Sequence, residues 1–168
     1  MKRKHQANKN QRMWGIRAGI GGEAHTHFLK TEVICLADPG IGNLRKIPAD
    51  RNSFYVAYQK LKPLETRIGV AGIGGKFFRF IHEITAGDLV VYPALNEGRI
   101  YVAKVTGQYK YIGSGKSFPH VRSVEWLCNF PKSELSEKAR RELGAARTLF
   151  EVKRHATEIK HLVSQLLA

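Results

Sequence analysis

Leu89-Val-Val-Tyr-Pro93, Asn96-Glu-Gly98 and Arg99-Ile-Tyr-Val-Ala-Lys-Val105 decide how this chain folds. Two runs rich in Val, Ile and Tyr flank a tight turn signal, a combination that reads as a β-hairpin. Toward the C-terminus, Tyr109 and Tyr111 alternate on a further strand, and a loose loop over 113–119 precedes the strand Val121-Arg-Ser-Val-Glu-Trp126. Pro131 begins a turn, Ser136 caps a short helix and Gly144 ends it. A last strand over 147–152 leads to a helix whose apolar face is Ile159, Leu162, Val163 and Leu166.

Toward the N-terminus, Gly87-Asp88 closes a helix carrying Phe77, Phe80, Ile81 and Ile84 on one face. Residues 69–75 hold four glycines among seven and read as a loop. An earlier helix starts at an Asp50 cap, buries Phe54, Ala57, Tyr58 and Leu61 at helical spacing, and stops at Pro63. Val33-Ile-Cys-Leu-Ala37 is a buried strand closed by Asp38-Pro39-Gly40. Before it lie a short polar segment over 25–30, a turn rich in glycine (Gly19, Gly21, Gly22) and a first strand, Trp14-Gly-Ile-Arg-Ala18. Strand, strand, two helices, a run of antiparallel strands, helix, strand and helix make an α+β fold with a curled or closed sheet and helices outside. Residues 1–12 carry five Lys/Arg and almost nothing apolar, so they read as a basic tail before one domain over 13–168, and Met13 leaves open a start there.

At 168 residues and 43% hydrophobic content, the chain can hold one proper core without staples. Its 28 Lys/Arg against 14 Asp/Glu give a formal charge of +14. A field of that sign concentrates polyanions, nucleic acid foremost, and predicts binding that weakens steeply with salt. No stretch joins a broad apolar face to dense Lys/Arg, and no apolar run spans a bilayer, which argues against membrane partners. Cys35 and Cys128 read as buried free thiols of a cytoplasmic protein, and no spacing of His or Cys suggests a metal site.

Trp14-Gly-Ile-Arg-Ala-Gly19, Pro48-Ala-Asp-Arg51, Phe80-Ile-His-Glu-Ile84, Gly87-Asp-Leu-Val-Val-Tyr-Pro93, Val124-Glu-Trp-Leu127 and Phe130-Pro131 resemble the N-terminal module of Mrr-type restriction-system proteins. The likeness runs from Trp14 to the last helix. More remotely the order of elements is similar to the EVE, YTH and PUA-like group. The resemblance implies a small PUA-like barrel with flanking helices that holds a flipped or single-stranded modified base between aromatic side chains, with no cofactor. It departs where related readers carry an aromatic after the second strand and this chain has Ala37-Asp38. The Mrr-type nuclease domain that the resemblance would place downstream is absent from these residues, so cutting falls to a separate nuclease partner or domain.

Reading a base takes a flat wall, groups for the base edge and cations for phosphates. Trp14, Tyr92, Phe118 and Trp126 are the candidate walls, each with core packing as the alternative. Arg17 is a candidate for a base edge or a phosphate, Asp38 for an exocyclic amine while being equally a turn former, and His120 belongs with Phe118 to a loop that brings an aromatic plane over the base. Lys46, Lys76, Arg79, Lys104 and Arg122 are candidate phosphate contacts. The expected function is DNA binding with modified-base recognition and no catalytic residues, with an RNA-binding module as one alternative. A metal-dependent endonuclease is the other, but beside Asp88 and Lys104 the position that should hold a second acid is Val102.

Overall fold

The computed structural model describes residues 10–37, 40–145 and 147–168. Its strands are β1 (Met13–Ile16), β2 (Val33–Leu36), β3 (Leu89–Ala94), β4 (Arg99–Val105), β5 (Lys110–Tyr111), β6 (His120–Pro131) and β7 (Leu149–Glu151). They form one sheet in the order β2-β6-β4-β3-β1-β7, with β5 also on β6. Only β1 and β3 run parallel among the pairs, and the sheet curls strongly into a half-barrel. The α+β expectation holds at that level, and the hairpin lies where the valines and tyrosines put it, with Tyr92 opposite Tyr101.

Five α-helices cover the sheet: α1 (His25–Thr31), α2 (Arg51–Leu61), α3 (Arg67–Phe78), α4 (Glu137–Leu143) and α5 (Ala156–Leu166). One face packs Trp14, Val90, Tyr92 and Ala103 against Phe28, Phe54, Phe77 and Phe80 from the side of α1 to α3. The other packs Met13, Val91, Val102 and Phe130 against Leu143, Ile159 and Val163 of α4 and α5. A bulge in β6 allocates side chains between the two cores. Val102 pairs with Cys128 while Ala103 pairs with Trp126, leaving Leu127 as the extra residue. Trp126 therefore packs on the first core and Cys128 on the second, although residues two apart on a regular strand share a face. Both cysteines are free, and burial pushes the Cys35 thiol up to about 12.

Three expectations need correction. Residues 69–75 are helical, lying inside α3, which Thr66 caps by accepting a hydrogen bond from the Gly69 amide. Gly74 serves close packing instead of a loop. A Cβ on Gly74 would stand 3.2 Å from the Phe54 carbonyl oxygen and 3.3 Å from the Tyr55 Cα, so α2 and α3 approach to backbone contact. The polar segment after the glycine turn is likewise helical, because Phe28 anchors α1 in the first core. Finally, the folded body begins before Met13. Gln11 donates to the Gly87 carbonyl, and the Arg12 amide and guanidinium are held by Asp88 and Glu151. The tail expectation for positions 1–9 lies outside the described residues.

Candidate nucleic-acid interface

Sequence places cations on the outside of α4 by elementary periodicity. Ser136 caps the helix, accepting from the Ala139 amide at 3.2 Å, and its own amide and hydroxyl donate to Glu158 of α5. Ala139 and Leu143 then face the second core, which leaves Lys138 and Arg141 turned outward. Beside them β7 lays the Phe150 ring over Gly15. A Cβ at Gly15 would meet that ring at 2.3 Å, so only glycine admits it. The chain from β7 into α5 brings Lys153 and Arg154 to the same opening.

The result is a cleft of about 770 Å³ with Phe150 and Ala145 in its wall and Lys138, Arg141, Arg147, Lys153 and Arg154 around it. Two carboxylates line it as well, and both are engaged internally. Glu142 accepts from the amides of Lys153, Arg154 and His155 and pairs with the His155 ring. Burial alone would raise its pKa, but those donors bring it below the ordinary carboxylate range. Glu151 takes both arms of Arg12 at 3.1 and 2.8 Å and lies 3.5 Å from Lys153, which likewise depresses its pKa. The side chains of Lys138, Arg147 and Arg154 have no hydrogen-bond or ion-pair partner among the described residues. Arg141 also borders a shallow hollow lined by Lys132, Arg140 and Glu137, and pairs with that carboxylate.

The residues singled out from sequence do not converge on one slot. Trp14 is fully buried, its indole N–H donating to Asp88 at 2.9 Å and its ring covered by Arg12, so it is a core group with no face for a base. Arg17 corrects the expectation of a free guanidinium fork: its Nη2 donates to the carbonyls of Gly144 and Ala145 at the end of α4, bracing the cleft wall. His120 is buried against Tyr109, whose hydroxyl is 2.8 Å away, and offers no face to a base in this conformation. Phe118 is half-buried on the first core. Asp38 lies outside the described residues.

Tyr92 and Trp126 do come together, with Phe28, Tyr101 and His25 around them. Tyr92 is buried, its hydroxyl 2.9 Å from His25 Nδ1, and burial, Glu97 and Tyr101 raise its pKa to about 12. Glu97 joins His25 Nε2 and the Tyr101 hydroxyl. Trp126 donates to the Phe28 carbonyl and stays half-exposed.

Of the expected phosphate contacts, Lys46 is exposed beside a shallow hollow, while Arg79 and Lys104 are half-buried. Lys76 is largely covered over the Phe77 ring, and burial lowers its pKa. Arg122 requires correction: it is 3% exposed and braces the Phe80 and Gly107 carbonyls, so it cannot reach a phosphate without opening the core. Asp88, the acid of the endonuclease alternative, accepts from the Arg12 and Thr85 amides and from Trp14, which explains its burial structurally. Among the described residues no group of three or more His, Cys, Asp or Glu is placed to hold a metal ion, and no helix is long and apolar enough to cross a membrane.

The cleft cations were missed because α4 and the 153–155 turn meet only in the folded chain. A signal was available, since residues 132–154 contain seven Lys/Arg (positions 132, 138, 140, 141, 147, 153 and 154). No curated protein matches the chain. The family described as Domain of unknown function (DUF8426) matches residues 23–153, a span that takes in α4, β7 and most of the cleft, and the chain belongs to that family.

Proposed function

We propose that this chain is a nucleic-acid-binding module whose backbone contact is the basic cleft between α4 and the turn from β7 into α5. The observation that carries this reading is the set of five cations around one cleft in which, among the described residues, the two lining carboxylates are already engaged. Lys138, Arg147 and Arg154 have no partner among the described residues, while Arg141 pairs with Glu137 and Lys153 with Glu151. Guanidinium and ammonium groups on a concave surface match phosphate oxygens, and each phosphate contact releases counterions. Duplex DNA is the preferred partner, in keeping with the likeness to restriction-system modules. Fluorescence anisotropy with a labelled duplex tests it. Lys153→Glu with Arg154→Glu should weaken binding by more than tenfold, whereas Lys62→Glu, exposed beyond the end of α2, should change it little. Equal losses in the two variants would remove the cleft from the account.

The finer reading is a PUA-like barrel that recognises a modified base while a separate nuclease chain or domain cuts. It is supported by the curled half-barrel and by the aromatic group on its wall, of which Tyr101 and Trp126 retain exposed surface for stacking. A methylated duplex should outcompete its unmodified twin. Equal competition would leave backbone binding and remove base reading. Competition by structured or single-stranded RNA separates the RNA-binding alternative.

A further inference from the structure

The first turn of α2 and the end of α3 lie side by side because Gly74 lets the two helices touch. There α3 widens into a π-helical turn, Arg79–Glu83, closed by the Ile84 amide on the Arg79 carbonyl at 3.0 Å. Such turns occur frequently at functional sites. Two guanidinium groups converge over Gly75. Nη2 and Nη1 of Arg79 lie 3.5 and 3.7 Å, and Nη1 of Arg51 lies 3.8 Å, from the point a Cβ on Gly75 would occupy. Arg51 is fixed in that orientation from two sides, its Nη2 bonded to Glu83 and its guanidinium 5.0 Å over the Phe78 ring. Arg79 is half-buried, yet its guanidinium has no hydrogen-bond or ion-pair partner among the described residues.

We propose that the space framed by Arg51 and Arg79 over Gly75 is a second oxyanion site, which takes one phosphate of the strand held in the basic cleft. The proposal rests on the nucleic-acid reading for its ligand, and on the two guanidinium groups for its chemistry. Two like charges facing one opening are unfavourable alone and become favourable with an oxyanion between them, since each fork can donate to a different phosphate oxygen. Burial is the main influence that disfavours the charge on Arg79, Arg51 and Arg147 act in the same sense, and Glu83 opposes them. Arg147, which lines the cleft, is among the charges that act on Arg79.

The test is an NMR titration of wild-type protein that follows the Gly75 amide and the Arg79 side-chain Nε–H. Salt-dependent binding of Arg79→Gln is measured in parallel. A duplex oligonucleotide should move both signals together with those of Lys153 and Arg154, and Arg79→Gln should flatten the salt slope by about 0.9. If the cleft signals move while Gly75 and Arg79 stay still and the slope is unchanged, the second site is overturned and the nucleic-acid reading survives. If no oligonucleotide binds, inorganic phosphate decides. Shifts at Gly75 and Arg79 would keep the oxyanion site without nucleic acid, and their absence would overturn both.

Discussion

Replacing Gly15 by alanine should destabilise the fold through a single contact. The added Cβ would fall 2.3, 2.6 and 2.8 Å from three carbons of the Phe150 ring, where ordinary van der Waals contact begins near 3.4 Å. Backbone relief is limited, because β1 is held between β3 and β7 with Gly15 paired to Val91 and to Phe150 itself. The ring must therefore shift by roughly an ångström inside a core where it is 5% exposed. Overpacking of this kind costs about 1–3 kcal/mol. For a domain of this size each kilocalorie lowers the melting temperature by about 2–4 °C. Thermal and urea unfolding followed by circular dichroism should show that loss with an unchanged m-value. Phe150→Leu should relieve part of it, so that the double variant is more stable than the summed single effects by about 1 kcal/mol or more. Additive behaviour, or a melting temperature unaltered by Gly15→Ala, would refute the contact.

Three further outcomes follow from named groups. Asp88→Ala removes the acceptor of three N–H donors in or beside the core and should cost about 3–5 kcal/mol; a loss under 1 kcal/mol in urea would contradict that role. Gly72→Ala should stabilise α3 by about 1 kcal/mol because nothing lies within 4 Å of its Cβ, whereas Gly74→Ala should destabilise it against the α2 backbone. Equal effects at these two sites would mean that α2 and α3 do not touch there. The Glu142 carboxyl is held below its ordinary value of 4.5, so its share of stability is present at neutral pH and lost as pH falls below that value toward the native one. Glu142→Gln should flatten this acid limb, and an unchanged pH profile would show that the carboxylate is not clamped.

Local pattern made much of the sheet legible. Alternation and the Asn-Glu-Gly turn located β3 and β4, and Asp50 and Ser136 cap α2 and α4 as their chemistry suggests. Where tertiary contact overrides local preference, the pattern misled. Glycine density in α3 reads as a loop until the α2 backbone is placed beside Gly74, and the His-Thr-His start of α1 hides a helix pinned by Phe28. The candidate site was less legible for the same reason. Trp14 looks like a stacking wall on a strand, and only Asp88, 74 residues away, makes it a core group. Arg17 and Arg122 look like free cations, yet both close backbone carbonyls that local sequence does not bring near them. The positive charge was visible, but its concentration on one cleft depends on α4 meeting the turn before α5.

The salt dependence of duplex binding tests that cleft most directly. If its five cations each neutralise one phosphate, they should contribute about −4.5 to the slope of log affinity against log salt, roughly a 500-fold loss between 50 and 200 mM, and the Arg79 contact about −0.9 more. Neutralising the three cations that have no partner among the described residues, with Lys138→Gln, Arg147→Gln and Arg154→Gln, should flatten the slope by about 2.7 while the fold stays intact. A slope unmoved by that triple substitution would place the nucleic acid elsewhere on the protein and contradict the account.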